Sequence, residues 1–288
     1  MKTKLINEIE KDYAKYCLCK LKDIDPSYRY INDERCIFDY HRYKFRKITD
    51  VKRKVYINPE FSCPDIYCSV VASIIDDIKH GRSLIKYQSR KLKYTDYDDM
   101  LLMDWGIQHL HLGSNVESDG FIERTKELLF VRFTNKSAYI LDIFEHQQWS
   151  TLRMLEIIHQ NWPESIERFK VTGIVDISYC PDKASIMKLR KAGLNYTVKL
   201  SDGSYYMGPG GGITAALTPM QVTDKVLYLR RLFRDSFNYI SNNFDSICEV
   251  VGVDKENHDV ITVGLRLEEG KLVYILKEVN KGLVLASN

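Results

Sequence analysis

Residues 104–162 constrain the fold more than any other stretch. Three runs in it have strand character. Residues 107–112 alternate apolar and polar side chains, 128–134 are apolar with Arg132 inside the run, and 138–144 are rich in Tyr, Ile, Leu and Phe. The last two runs are joined by Asn135-Lys136-Ser137, a short polar connection suited to an antiparallel hairpin. A helix is expected from near Ser150 to the break at Trp162-Pro163. The local expectation is a three-stranded meander feeding a helix.

Four of the seven histidines fall in this stretch, at 109, 111, 146 and 159. Side chains on a strand alternate faces, so His109 and His111 share one face. Asp142, Phe144 and His146 share a face of the third strand in the same way. Sequence alone does not fix the register between the strands. His159 lies with Leu152 and Leu155 on one helix face, as a satisfied, half-buried group.

The 288 residues suit one large domain or two to three small ones. No apolar run approaches the roughly 20 residues that span a bilayer. The N-terminal residues carry charge throughout and have no apolar signal segment. A cytoplasmic protein that makes no membrane contact is therefore expected. Seven cysteines without a CxxC pair argue against a zinc ribbon, and reduced thiols acting as small apolar fillers are the simplest reading. The net charge of +3 hides an asymmetry. Residues 1–93 carry 21 Lys/Arg against 13 Asp/Glu, and the remainder carries 21 against 26. A basic first third is compatible with RNA or another polyanion as partner.

In chain order, residues 1–20 suggest a helix with Leu5, Ile9, Tyr13 and Tyr16 at helical spacing. Residues 28–58 suggest strands at Tyr28, Tyr30, 36–40 and 52–57. Within them, residues 42–54 hold seven basic residues and one Asp, interleaved with Tyr43 and Phe45. Arg42, Arg46, Lys47, Arg53 and Lys54 are the candidate nucleic-acid-binding set, because cations serve phosphates and aromatic rings stack on bases. The alternative is a solvated hairpin face. A helix follows Pro64-Asp65, with Ile66, Val70, Ile74 and Ile78 at spacing four and Gly81 ending it. Residues 79–93 hold six basic residues and no acidic one, and 84–94 suggest a strand or an exposed helix. An acidic knot, Asp96, Asp98 and Asp99, comes next.

Beyond the central stretch, residues 170–179 suggest a strand, Asp182 a cap, 183–192 a helix ending at Gly193, and Asp202-Gly203 a hairpin turn. The glycine-rich run 208–212 lacks both the P-loop Lys-Ser/Thr and the G-x-G-x-x-G spacing, so a tight turn is the simpler reading than a phosphate cradle. Residues 223–243 form the clearest helix, and 246–286 suggest a β-meander with a turn at Glu269-Gly270.

Two chemistries suit the histidines. Two imidazoles side by side with His146, and Asp104 or Asp142 for oxygen, would suit a His-ligated metal enzyme, although no compact H-E-x-x-H motif is present. Metal-free ribonuclease chemistry needs a base at the 2′-hydroxyl, an acid at the leaving oxygen and cations on the phosphate. Histidines supply the first two near neutral pH, Arg124 or Arg132 the third, and Tyr139 a further polar group.

The order ELLFVRFTNKSAYILDIFEH, preceded by the strand HLHL and an arginine-containing turn, resembles the core of the RelE/HigB-type toxins over residues 107–149. Those are small, strongly basic ribonucleases. The resemblance implies an endoribonuclease without cofactor, of a toxin or phage-defence kind. It places His109 and His111 at the first strand's polar positions, Arg124 and Arg132 as phosphate-binding cations, and His146 at the terminal catalytic position. The alternative is a non-catalytic module that binds nucleic acid, a protein partner or a second copy of itself.

The fold expected is α+β, mainly antiparallel β-meanders with packed amphipathic helices. Three segments are expected: a basic α+β segment 1–63, a central helix, meander and helix 64–164, and an α+β domain 165–288.

Overall fold

The computed structural model describes residues 3–145, 151–173 and 181–285. In chain order its elements are β1 (Lys4–Asn7), α1 (Ile9–Ile24), α2 (Asp33–Arg46), β2 (Lys54–Ile57), α3 (Asp65–His80), α4 (Met100–Trp105), β3 (Ile107–His111), β4 (Glu127–Phe133), β5 (Ser137–Glu145), α5 (Thr151–Asn161), β6 (Lys170–Val171), α6 (Lys183–Lys191), β7 (Thr197–Lys199), β8 (Tyr205–Met207), α7 (Met220–Asn242), α8 (Phe244–Val251), β9 (Val260–Glu268), β10 (Lys271–Leu276) and β11 (Lys281–Leu283). The fold is α+β. Among the named strands only β1–β9 and β2–β5 pair in parallel; the other pairs are antiparallel. No helix of the described residues is long and apolar enough to cross a membrane.

Two compact units emerge, 1–41 with 223–288, and 42–222. The expected segments 1–63, 64–164 and 165–288 follow chain order, whereas the first unit joins the two ends of the chain.

In the terminal unit the sheet runs β1-β9-β10-β11. β9 and β10 are closed by Glu269-Gly270, both at positive φ (48° and 80°), which matches the twist of a two-residue hairpin. α1 packs on β9, and its helical stripe of Ile9, Tyr13, Cys17 and Leu21 is buried. Lys277 reaches Glu8 at 2.8 Å and Asp12 at 2.7 Å, and Asp12 also accepts from the Leu265 amide at 3.1 Å. Gly264 leaves room for this pair: a Cβ there would meet the Lys277 and Asp12 side chains.

The central unit is layered. Its main sheet runs β2-β5-β4-β3. One face packs on α3 through Val71, Ile74 and Ile78, with Leu110, Leu129, Val131 and Ile140 from the sheet. The other face buries Ile107, Leu128, Phe130, Tyr139 and Leu141 against Leu155, Ile158 and Trp162 of the α5 region. Both faces are therefore covered, which is why residues 128–131 of β4 are an unbroken apolar run rather than an alternating one. β6, β8 and β7 form a second, small antiparallel sheet.

Several expectations change. Residues 36–40 are helix, not strand: Cys36, Ile37 and Tyr40 are all buried on one side of α2, a spacing that fits a 3.6-residue period. Leu5 belongs to a strand because β1 pairs in parallel with residues 260–263 of β9, a partner far along the chain. Tyr28 and Tyr30 lie outside any strand. Residues 84–94 form neither strand nor long helix, but two 3₁₀ turns anchored by buried Leu84, Tyr87 and Leu92. The apolar run at 247–253 lies mostly in α8 and does not begin the meander. Ile66, placed on the α3 stripe by its spacing, is 77% exposed. Most of the expected strand 170–179 lies outside the described residues.

The Lys277 cluster makes a pH prediction. Glu8 is lowered to about 2, first by its hydrogen bond to Lys11 and then by Lys277. Burial raises Asp12, but the Lys277 and Leu265 hydrogen bonds outweigh it and its net shift is downward. Carboxylates lowered in the folded state contribute stability above their unfolded pKa, and that stability is lost as pH falls through the folded value. Lys277→Ala is therefore expected to destabilise the protein at pH 7 and to lose less stability than wild type between pH 4.5 and about 2, as read by urea unfolding at several pH values.

Candidate functional site

The register places the histidines. Ile107 pairs with Arg132, His109 with Phe130 and His111 with Leu128. Across β4, Arg132 pairs with Tyr139, Phe130 with Asp142 and Leu128 with Phe144. Between the first two of these rows β5 carries a bulge that leaves Leu141 unpaired. Counting by twos from Tyr139 would send Asp142 to the opposite face; the extra residue returns it to the histidine face. His109, His111, Arg132 and Asp142 therefore share one face, with Phe130 between His109 and Asp142. Two strand spacings separate that pair by about 10 Å, beyond hydrogen-bond reach. The His109 and His111 ring centroids are 6.5 Å apart, and His109 lies 6.3 Å from the Phe130 ring. His146 lies outside the described residues, which stop at Glu145, one step past the His111 row.

His109 meets a carboxylate that sequence reasoning did not connect with it. Asp99 caps α4, its Oδ1 accepting from the Leu101 and Leu102 amides at 3.0 and 3.1 Å. Its Oδ2 lies 3.6 Å from His109 Nδ1. The signal was present, since an Asp directly before an apolar run is a helix N-cap pattern. What was missing was the sharp turn at Gly106 (φ 65°), which folds the short α4 back beside β3.

The pair lies on a cleft lined by Arg46, Gln88, Tyr97, Asp99, Gln108 and His109. Its volume of about 20 Å³ admits one water-sized group. Arg46 donates to the carbonyls of Lys91 (2.9 Å) and Tyr94 (2.7 Å). In turn, Gln88 and Gln108 donate to the Arg46 carbonyl at 2.8 and 3.0 Å. Burial lowers the Arg46 pKa, opposed chiefly by Asp98. Tyr97, whose ring lies 5.7 Å from the Arg46 guanidinium, is pushed up to about 12, first by burial and then by Asp99. Carbonyl partners fix a guanidinium without cancelling its charge, so the cleft wall carries a preorganised cation.

The structure thus brings His109 of the proposed catalytic set together with Arg46 of the proposed binding set. It does not gather the rest. His111 is buried beside Leu128. Arg132, 5% exposed, donates to the carbonyls of Trp105 and Ser165 at 3.3 and 3.2 Å, and burial pushes it down to about 10. Arg124 is exposed on the loop between β3 and β4. Arg42 is buried and ion-paired with Asp98 at 3.1 Å. Arg53 is buried and donates to the carbonyls of Thr134, Thr49 and Val51. Lys47 is half-buried and pairs with Asp50 at 3.4 Å. Lys54 is exposed, its ammonium 4.8 Å from the Tyr56 ring. Three of the five binding candidates are therefore interior clamps rather than a solvated hairpin face.

Asp104 is also committed. It is buried in an ion pair with Arg190 and accepts from Tyr196 Oη at 2.8 Å. Burial raises its pKa, opposed by Arg190. Among the described residues no three His, Cys, Asp or Glu side chains converge to hold a metal. The glycine run 208–212 spends its amides on α4: Gly210 and Gly212 donate to the Asp104 and Met103 carbonyls, both at 2.8 Å. A Cβ on Gly208 or Gly210 would strike those carbonyls or their neighbour at Leu102. The loop is thus the C-terminal cap of a buried helix. His159 bridges Tyr206 Oη and Asp202, each at 2.9 Å, and ties α5 to the small sheet.

No protein family matches the chain, and no curated protein or solved structure is detectably similar to it.

Arg46→Lys separates the two roles of this residue. The charge stays, but the planar fork that spans two carbonyls is lost. The expected outcome is a loss of about 1–3 kcal/mol in unfolding free energy, measured by denaturant titration. A surface arginine would show almost none.

Proposed function

We propose that the central unit is a metal-independent endoribonuclease of the toxin or phage-defence kind, acting on RNA in the cytoplasm with Asp99 and His109 as its acid–base couple. One observation carries this reading: a histidine paired with a carboxylate lines a cleft that also holds the fixed charge of Arg46. Asp99 lies on the Nδ1 side of His109, 3.6 Å away, and the proton exchange with substrate is assigned to Nε2. The cleft takes one oxygen-sized group, which suits a ribose hydroxyl or a phosphoryl oxygen, with the base itself left outside. His109 Nε2 would remove the 2′-hydroxyl proton as O2′ attacks phosphorus and the 5′-oxygen leaves. Arg46 would stabilise the added charge on the phosphorane. The resemblance to RelE/HigB-type toxins supplies His146 as the acid for the leaving oxygen.

A second reading is a non-catalytic module that binds nucleic acid, a protein or a second copy, and the burial of Arg42, Arg46, Arg53 and Arg132 favours its protein-binding forms over the nucleic-acid one. Those cations meet intramolecular partners and present no open phosphate track.

Cleavage of RNA in EDTA separates the readings. His109→Ala is expected to lower the rate by about 10²–10⁴-fold. Asp99→Asn is the sharper variant, because Asn caps a helix as well as Asp does. It should keep the fold, by circular dichroism and melting, while losing most of the rate. Wild-type protein that binds RNA and leaves it intact would establish the binding module. Cleavage unchanged in both variants would move the chemistry elsewhere.

A further inference from the structure

The start of α3 carries two thiols in an unusual place. Pro64 is the cap residue, with φ −58° and ψ 139°. Cys63 therefore stands just before the cap and Cys68 at the fourth helical position. A hydrophobic staple normally joins these two positions, so their side chains meet across the first turn. Here both sulfurs converge on one atom: Cys63 Sγ lies 3.6 Å and Cys68 Sγ 3.5 Å from the Pro64 carbonyl oxygen. Cys68 Sγ also lies 3.6 Å from the Cys63 carbonyl. Cys68 is exposed and Cys63 partly so, while Cys17, Cys36 and Cys248 are buried. The turn is anchored beside them, because Tyr67 Oη donates to Glu127 Oε2 at 2.6 Å.

We propose that Cys63 and Cys68 are a redox-active dithiol that closes to a disulfide across the first turn of α3. The oxidant is a low-molecular-weight disulfide of the glutathione type. The exposed Cys68 thiolate attacks one of its sulfurs, forming a mixed disulfide and releasing one small thiolate. The Cys63 thiolate then attacks Cys68 Sγ, closes the protein disulfide and releases the second. Two electrons pass from the protein to the oxidant, and the two thiol protons go to the released thiolates. Burial, followed by its hydrogen bond to Cys68, pushes the Cys63 thiol up to about 11. Closure is accordingly the slow step and accelerates as pH rises towards that value.

The full-length protein is incubated with oxidised glutathione, quenched with an alkylating reagent and mapped by mass spectrometry. The segment holding both residues is expected to lose about 2 Da and to resist alkylation until reduced. Exposed Cys19, whose sequence neighbour Cys17 is buried, serves as the internal control. Cys63→Ser should stop at a stable glutathione adduct on Cys68. The proposal is overturned if wild-type Cys68 accumulates that same adduct, or if the pair is alkylated as readily after oxidation as before. Phenylarsine oxide, which requires two adjoining thiols, gives a second reading on the unmutated protein. Retention at 63 and 68 supports the dithiol, and its absence there refutes it.

Discussion

A backbone carbonyl inside a protein needs a donor whether or not a helix or strand provides one. In the central unit arginine meets much of that need. Arg46 reaches Lys91 and Tyr94, Arg53 reaches Thr134, Thr49 and Val51, and Arg132 reaches Trp105 and Ser165. Each makes at least one such bond to a carbonyl far away in sequence. Guanidinium suits the task because it carries five donors in one plane and stays charged when buried. The long connections around the main sheet depend on these clamps, and so does the wall of the His109 cleft.

The covered sheet imposes a second constraint. With α3 on one face and the α5 region on the other, no strand position is left in open water at the centre. A polar side chain there must be met by something arriving from outside the sheet. Asp99 arrives for His109 at the edge strand. Arg132 takes carbonyls instead, and burial lowers its pKa, with Arg168 adding to the effect. The bulge at Leu141 decides which polar residues share a face, because it moves Asp142 across the pleat. The bulge thus sets the face of Asp142, whereas the His109 cleft follows from the Gly106 turn that brings Asp99 beside β3.

Much of this framework was legible in the sequence. The three strands, the 135–137 connection, α3 with its Gly81 stop, the Asp182 cap and the helix before Pro163 all follow from local period and local turn chemistry. What failed was non-local. β1 exists only because β9 pairs with it; residues 36–40 are the exception, since the helical spacing of Cys36, Ile37 and Tyr40 is itself local. The pairing of His109 with Asp99 spans ten residues and a tight turn. The bulge leaves no readable mark in composition, since in a sheet covered on both faces the run Ile140-Leu141-Asp142-Ile143 need not alternate.

The basic first third illustrates why charge counting and ligand reading diverge. Seven cations lie within residues 42–54, and a polyanion partner would draw affinity from them by releasing counterions condensed on its phosphates. That release requires each cation to approach a phosphate through water. Arg42, Arg46 and Arg53 are interior, their donors turned to Asp98 or to backbone oxygens. They raise the potential of the surface above them but displace no counterion. What remains to meet a phosphate directly is a set of lysines, of which Lys44, Lys52 and Lys54 are exposed. Lysine holds a phosphate as a point charge, without the bidentate geometry that fixes orientation. An RNA strand drawn to this region would therefore be held loosely, and its register over the cleft would depend on contacts at the His109 cleft itself.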